Sequence, residues 1–282
     1  MKKAFIASLL VMVAESKVCF VPDNIKPLVV QNSIQKLLNI ADVRRNYSTL
    51  KDLCVSLLSF KEGIYNWKML LVTNPKARGP FWFLPHDNEN SAFKAAIYAT
   101  RKYGGGFLAI VNSDKRYFLG QDPNRNFSLS YKRVCKEQHY PSFIYTQTII
   151  DIINSYKGSY PYLALHNNTN KGGISILKSS RYTKSFLAYP KSVVQKASGT
   201  LADEDNLVYI AGSSPKAPMH KVNALLQKGL NVKYELVTPR SYDCSLSNFV
   251  VQELGVESYF NIEAQHNATA TQKRMIDLLL AK

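Results

Sequence analysis

Phe81-Trp82-Phe83-Leu84-Pro85-His86-Asp87-Asn88-Glu89 is the stretch from which the rest of this chain can be read. An apolar run that ends at a proline reads as a buried strand, because proline has no N–H to continue a ladder. A histidine and a carboxylate three residues apart follow it, close enough at a strand end to turn towards one cation. A second apolar run, Leu163-Ala164-Leu165, leads into His166-Asn167-Asn168. Two histidines and one glutamate leave a zinc coordination position open for water, the donor pattern of catalytic rather than structural zinc.

Outward from that stretch, residues 64–73 and 81–84 read as strands and 91–103 as a helix, with Ala92, Ala95, Ala96 and Ala99 on a closely packed face. Gly104-Gly105-Gly106 stops the helix; it follows a helix instead of opening one, so it is no phosphate cradle. Further strands are expected at 107–111, 160–165, 174–177, 207–211, 232–237 and 258–262. Helices are expected at 145–156, 219–227, 246–254 and 269–280, and helix-like spacing recurs at 32–38 and 47–60. Residues 17–63 form a lead-in packed on the core, and 64–282 a catalytic domain. Short apolar strands alternating with helices predict an α/β fold, a mixed, mostly parallel sheet covered by helices on both faces. Ligands gather at the carboxyl ends of such strands, and His86, His166 and Glu263 are each expected just after one.

The chain has 282 residues, 46% apolar and 20% charged, which is the composition of a globular protein able to bury a core. Lys2-Lys3, an apolar segment at 4–14 and the small-residue exit Ala14-Glu15-Ser16 read as an export signal over 1–16. That segment is too short to span a bilayer, and no later one approaches the ~20 apolar residues a span needs. The protein is therefore expected to be exported, periplasmic or secreted, with no stable membrane span once the signal is removed. Losing Lys2, Lys3 and Glu15 lowers the net charge of +16 by only one. Such a charge favours anionic surroundings, namely nucleic acid, acidic lipid or an acidic cell-wall polymer, with a solvated basic face as the plain alternative. Export, the even spread of the charge and the absence of a recognition motif argue against nucleic acid. Cys19, Cys54, Cys135 and Cys244 permit two disulfides in any of three pairings, with buried free thiols as the alternative. No Cys-x-x-Cys is present to build a thiolate zinc cluster.

His86-Asp87-Asn88-Glu89, Asp122-Pro123-Asn124-Arg125-Asn126-Phe127, Leu165-His166-Asn167-Asn168 and Phe260-Asn261-Ile262-Glu263-Ala264 together resemble the zinc carboxypeptidase superfamily, including its aspartoacylase and succinylglutamate desuccinylase branch. The four pieces stand in the family's order, and the resemblance covers about residues 64–280. It implies a zinc-carboxypeptidase-like fold and one zinc ion held by His86, Glu89 and His166. Glu263 matches the base that takes a proton from water and delivers it to the leaving amine. Asn124 and Arg125 match the pair that holds a substrate carboxylate, a task suited to the planar guanidinium fork. Arg116 resembles the arginine that polarises the scissile carbonyl in the deacylase branch, with one more residue of spacing. Tyr242 occupies the place of a substrate-contacting tyrosine. His139, His220 and His266 fall outside the pattern. The resemblance, address and charge together imply an exported zinc hydrolase cleaving an amide bond beside a free carboxylate, with peptidoglycan stem peptides as the expected substrate. A deacylase of small N-acyl amino acids is the alternative within enzymes. A binding protein on a degenerate peptidase scaffold is the third, and it has no need of Glu263.

Overall fold

The computed structural model describes residues 19, 21, 29–169, 174–177, 186–191 and 199–281; the expected export signal lies outside them. In chain order the elements are β1 (Val29–Gln31), α1 (Ala41–Arg45), α2 (Tyr47–Leu50), β2 (Cys54–Glu62), β3 (Tyr65–Thr73), β4 (Phe81–Leu84), α3 (Asn90–Tyr103), β5 (Gly106–Ile110) and α4 (Phe143–Lys157). They continue with β6 (Tyr162–Asn168), β7 (Phe186–Tyr189), β8 (Leu207–Gly212), α5 (Met219–Gln227), β9 (Val232–Leu236), α6 (Leu246–Gln252), β10 (Tyr259–Gln265) and α7 (Thr269–Leu280). The ten strands form one sheet in the order β1-β2-β3-β5-β4-β6-β10-β8-β9-β7.

Five of its nine neighbouring pairs are antiparallel and four parallel, so the sheet is mixed and the expected predominance of parallel pairing is not found. Much of the difference comes from residues 47–60, expected to be helical. Leu50, Leu53 and Leu57 do recur at helical spacing, but only Tyr47–Leu50 is helix. From Cys54 the chain pairs with β3 in an unbroken antiparallel ladder, Cys54↔Thr73 to Glu62↔Tyr65. The two-residue turn Gly63-Ile64 closes that ladder, with Gly63 at φ +58°, a conformation glycine adopts without a Cβ penalty. The expected strand at 174–177 is also absent. Ile176 instead donates its N–H to the Glu204 carbonyl and packs beside Leu207 and Tyr209.

Successive strand residues point to opposite faces, and they sort into two apolar clusters. Phe107 and Ala109 of β5 join one, with Ala92, Ala95, Ala96 and Ala99 of α3, Val222 of α5 and Met275 of α7. Leu108 and Ile110 join the other, with Tyr145 and Ile149 of α4 and Phe249 of α6. The small side chains of α3 let that helix lie close on the sheet, and each large side chain fully buried this way contributes ~1.5–3 kcal/mol. Gly104 ends α3, and a Cβ on Gly105 would overlap the Pro80 carbonyl oxygen, so the glycine run also admits the loop that leads into β4. Two disulfides, Cys19–Cys54 and Cys135–Cys244, use all four cysteines and fit an oxidising compartment. No described helix is long and apolar enough to cross a membrane.

Candidate metal centre

Pro85 ends β4, and the chain turns so that the Glu89 N–H donates to the His86 carbonyl at 3.2 Å. Glu89 then caps α3, its carbonyl accepting from Phe93. His86 and Glu89 thus sit at a strand-to-helix junction. Asp87 anchors the junction to the loop after β5 by accepting from the N–H groups of Asn112 (2.6 Å) and Asp114 (2.8 Å).

His166 and Glu263 lie inside β6 and β10 rather than beyond them. The two strands are parallel, with Glu263 directly opposite His166. Leu165 and Ile262 face the α3 cluster, so His166 and Glu263 face the α4 and α6 side. Asn167 faces the other way. It accepts from the N–H of Ala92 (2.9 Å) and donates to Gln272 Oε1 (3.0 Å), while Gln272 Nε2 donates to the His166 carbonyl (2.9 Å). Asn167 N–H also donates to Glu89 Oε2 at 2.9 Å, joining the two ligand-bearing segments directly.

Among the described residues, His86, Glu89 and His166 are the one group of three or more such side chains able to hold a metal ion, with ligand atoms all within 4.8 Å of one another. His86 Nδ1 lies 3.2 Å from His166 Nδ1 and 2.8 Å from Glu89 Oε1; His166 Nδ1 lies 3.5 Å from Glu89 Oε2. Tetrahedral zinc with bonds of ~2.0–2.1 Å requires neighbouring donors ~3.3 Å apart. The two imidazoles and the carboxylate therefore fit a zinc ion without rearrangement of the backbone. All three side chains are buried, His86 at 4%, Glu89 at 3% and His166 at 5% exposure. Burial works to lower the His86 pKa, but the Glu89 and Asp122 carboxylates outweigh it and raise it. For Glu89, burial favours the neutral acid, and the two histidines outweigh burial and hold it well below the ordinary carboxylate range.

Asp122 is a residue whose role the sequence did not disclose. Its Oδ1 faces His86 Nε2 at 2.9 Å and accepts from Asn124 N–H at 2.8 Å, and its Oδ2 accepts from Arg116 at 3.1 Å. Asp122 thereby directs the opposite ring nitrogen, Nδ1, at the metal position, as carboxylates behind metal-bound histidines do. Asp-Pro-Asn reads equally well as a turn, which is why the residue types alone conceal it.

Arg116 lies across the same corner, 3.3 Å from Glu89 Oε1, with its guanidinium divided between Glu89 and Asp122. Asn124 and Arg125 belong to a short 3₁₀ turn, Pro123–Arg125. Asn124 Oδ1 accepts from Leu246 N–H at the start of α6 (3.1 Å), and Arg125 Nε pairs with Asp243 Oδ2 (3.3 Å). Glu263 is 3% exposed, and its Oε1 accepts from Asn261 Nδ2 at 2.9 Å. Burial first, and the Glu89 charge with it, raises the Glu263 pKa against the pull of His166. Tyr242 is turned from this group, its hydroxyl donating to the Phe127 carbonyl at 2.9 Å beside a surface recess lined by Leu129, Val134 and Pro239. His139 and His220 are exposed, and His266 half-buried, with no place in the cluster.

The chain is similar to two solved structures. One is a protein assigned as a carboxypeptidase A from Shewanella denitrificans OS-217, at 12% identity and a TM-score of 0.40, over 88% of this chain and 67% of the other. The second is thrombin activatable fibrinolysis inhibitor, at 11% identity and a TM-score of 0.47, over 88% of this chain and 75% of the other. No protein-family model and no curated protein matches the chain.

Proposed function

We propose that the protein is an exported zinc-dependent hydrolase of the metallocarboxypeptidase kind, cleaving an amide bond adjacent to a free carboxylate. The observation that carries this reading is the convergence of two imidazole nitrogens and a carboxylate at tetrahedral donor spacing, with the buried carboxylate of Glu263 on the neighbouring strand. A zinc ion held by His86, Glu89 and His166 would supply a Lewis acid that polarises a carbonyl and acidifies water. Glu263 takes the water proton and passes it to the leaving amine from a buried position directly opposite His166. Arg125 grips the substrate carboxylate with Asn124 beside it, exchanging part of its pairing with Asp243 for the ligand. Arg116 supplies positive charge as the carbonyl oxygen becomes anionic. Tyr242 contacts substrate once its hydroxyl leaves Phe127.

Two disulfides and a net charge of +16 favour an anionic polymer in an exported compartment, so stem peptides of peptidoglycan are the proposed substrate class, in the periplasm or outside the cell. The test has two parts. Purified protein should bind one zinc per chain, and Glu263→Gln should lose nearly all hydrolysis while keeping the metal. Retained turnover in that variant excludes Glu263 as the base, and a chain that takes up no zinc removes the enzymatic reading altogether. Mass analysis of murein fragments, with and without a chelator, then separates substrates. Cleavage of N-acyl amino acids but of no peptide would identify a deacylase.

A further inference from the structure

A recess opens away from the metal centre, where β3 outruns β5. The ladder between the two strands ends at Met69↔Ile110, and after one more bond, from Val111 N–H to the Lys68 carbonyl at 2.9 Å, the chain leaves the sheet. Asn66 and Lys68 stand at that open end, two residues apart and so on one face of β3. Leu70 continues the same face and joins the α3 cluster, so this is the face opposite to His166 and Glu263. Leu57 of β2 lies across the ladder from Leu70. The approach to α1 covers a second side with Asn39 and Ile40, and the loop after β5 forms the third with Val111, Asn112 and Phe118. Together they bound a volume of about 480 Å³.

The loop wall of this recess is fixed by the protein itself. Asp87 accepts from the N–H groups of Asn112 and Asp114, and Asn112 Nδ2 donates to the carbonyls of Lys115 (3.1 Å) and Tyr117 (2.8 Å). Arg45 grips both Asp114 oxygens, at 2.9 and 2.6 Å. These bonds hold Ser113 and Asp114 at φ +54° and +60°, a left-handed conformation that costs energy in residues other than glycine. The facing side chains are by contrast unengaged. Among the described residues, those of Asn39, Asn66 and Lys68 have no hydrogen-bond or ion-pair partner.

The lining mixes two kinds of surface. Each asparagine amide both donates and accepts, and the lysine ammonium donates. Ile40, Leu57 and Val111 supply an aliphatic floor, and Phe118, whose ring stacks on Trp67 at 4.9 Å, an aromatic platform. Neither a bare ion nor a wholly apolar body matches that mixture. A sugar ring does, with hydroxyls that donate and accept around its rim and C–H groups on its faces. We propose that this recess binds an N-acetylated amino sugar, its ring against Phe118, its acetamido methyl on the aliphatic floor, and its hydroxyl and carbonyl oxygens on Asn39, Asn66 and Lys68. The choice of an N-acetylated sugar rests on the reading of peptidoglycan as the substrate polymer; the recess then holds a glycan strand of that polymer apart from the peptide being cleaved.

The experiment is a calorimetric titration of the full chain, in the presence of zinc, with N,N′-diacetylchitobiose and with cellobiose, which carries hydroxyls in place of the acetamido groups. Diacetylchitobiose should bind roughly fourfold or more tightly than cellobiose, the scale of one buried methyl group. Asn66→Ala combined with Lys68→Ala should weaken its binding roughly tenfold or more, as the loss of two hydrogen bonds would. Neither side chain supports another, so zinc affinity in that double variant should stay within about threefold of wild type and reports an intact fold. No binding of diacetylchitobiose, equal binding of the two sugars, or an affinity that the double substitution leaves unchanged overturns the proposal. Hydrolysis is scored separately. Stem peptides cleaved by a protein that ignores the sugar sink the recess and leave the hydrolase standing, whereas sugar binding without cleavage of any peptide does the reverse.

Discussion

Replacing Asp122 tests whether the metal position is set from behind the ligands. In Asp122→Asn the amide oxygen can occupy the Oδ1 position and still accept from His86 Nε2 and Asn124 N–H. Its amino group is then aimed at Arg116 Nη2, where the carboxylate oxygen stood 3.1 Å away, so two donors meet. Turning the amide over relieves that conflict but presents N–H to His86, forcing the ring proton onto Nδ1 and removing the lone pair the metal needs. Either orientation forfeits a charge-assisted bond worth ~1.5–3 kcal/mol, or roughly a 10- to 100-fold loss of zinc affinity. Asp122→Ala loses the His86, Arg116 and Asn124 contacts together and should lie at or beyond the weak end of that range. Zinc dissociation constants from competition with a chelator of known affinity measure this directly, with near-ultraviolet circular dichroism confirming the fold. Glu263→Gln is the control and should bind zinc within about threefold of wild type. An Asp122→Ala protein that also binds zinc within about threefold of wild type would refute the reasoning.

The Cys135–Cys244 bridge closes a separation of 109 residues and should contribute up to about 4.7 kcal/mol on a chain-entropy basis, against about 3.8 kcal/mol for the 35-residue separation of Cys19–Cys54. Paired alanine variants compared by denaturant unfolding should show the larger loss for Cys135 and Cys244; the reverse order contradicts the entropic account. Asp42, buried against Asp87, has its pKa pushed up from 3.8 to about 7, chiefly by burial, with Arg45 opposing. The folded state therefore holds a proton that the unfolded chain gives up near pH 4. The stability gained from it is complete below that pH and lost as pH rises to 7, up to about 4 kcal/mol. Asp42→Asn should remove this slope, so its stability relative to wild type rises between pH 4 and pH 8; parallel curves for the two proteins would show that no such proton is held.

Much of the site was legible because its chemistry needs residue types that are costly to bury without partners. His86 and His166 each end an apolar run, Glu263 interrupts one and Glu89 follows His86 by three residues, and the structure brings all four to one corner. Helices 219–227 and 269–280 were equally legible from spacing, the first also from its stop at Gly229. Strand direction was not, since alternation is the same in parallel and antiparallel ladders, and the two-residue turn at Gly63-Ile64 was the overlooked signal for the β2–β3 hairpin. The supporting residues were hidden for a different reason. Gln272 lies far along the chain from the His166 carbonyl it holds, and its helix pattern gives it no distinction from a surface glutamine. Asn261 could have been found, because it alternates with apolar neighbours and so shares the face of Glu263 two residues on.

The pairing of Glu263 with His166 also fixes where this chain can tolerate a change of length. Adjacent strands lie ~4.8 Å apart, so Glu263, the proposed base, stands at a set distance from His166, a proposed metal ligand, through backbone hydrogen bonds and not through any side-chain contact. Inserting one residue between Tyr259 and Glu263 would turn Ile262 towards the side that carries His166, and deleting one would turn Ala264 there, with Glu263 carried to the α3 side in both cases. The segment 213–218 between β8 and α5 can lengthen without moving either group. Single-residue changes of length are therefore neutral in that loop and abolish function in β10, however mild the residue gained or lost.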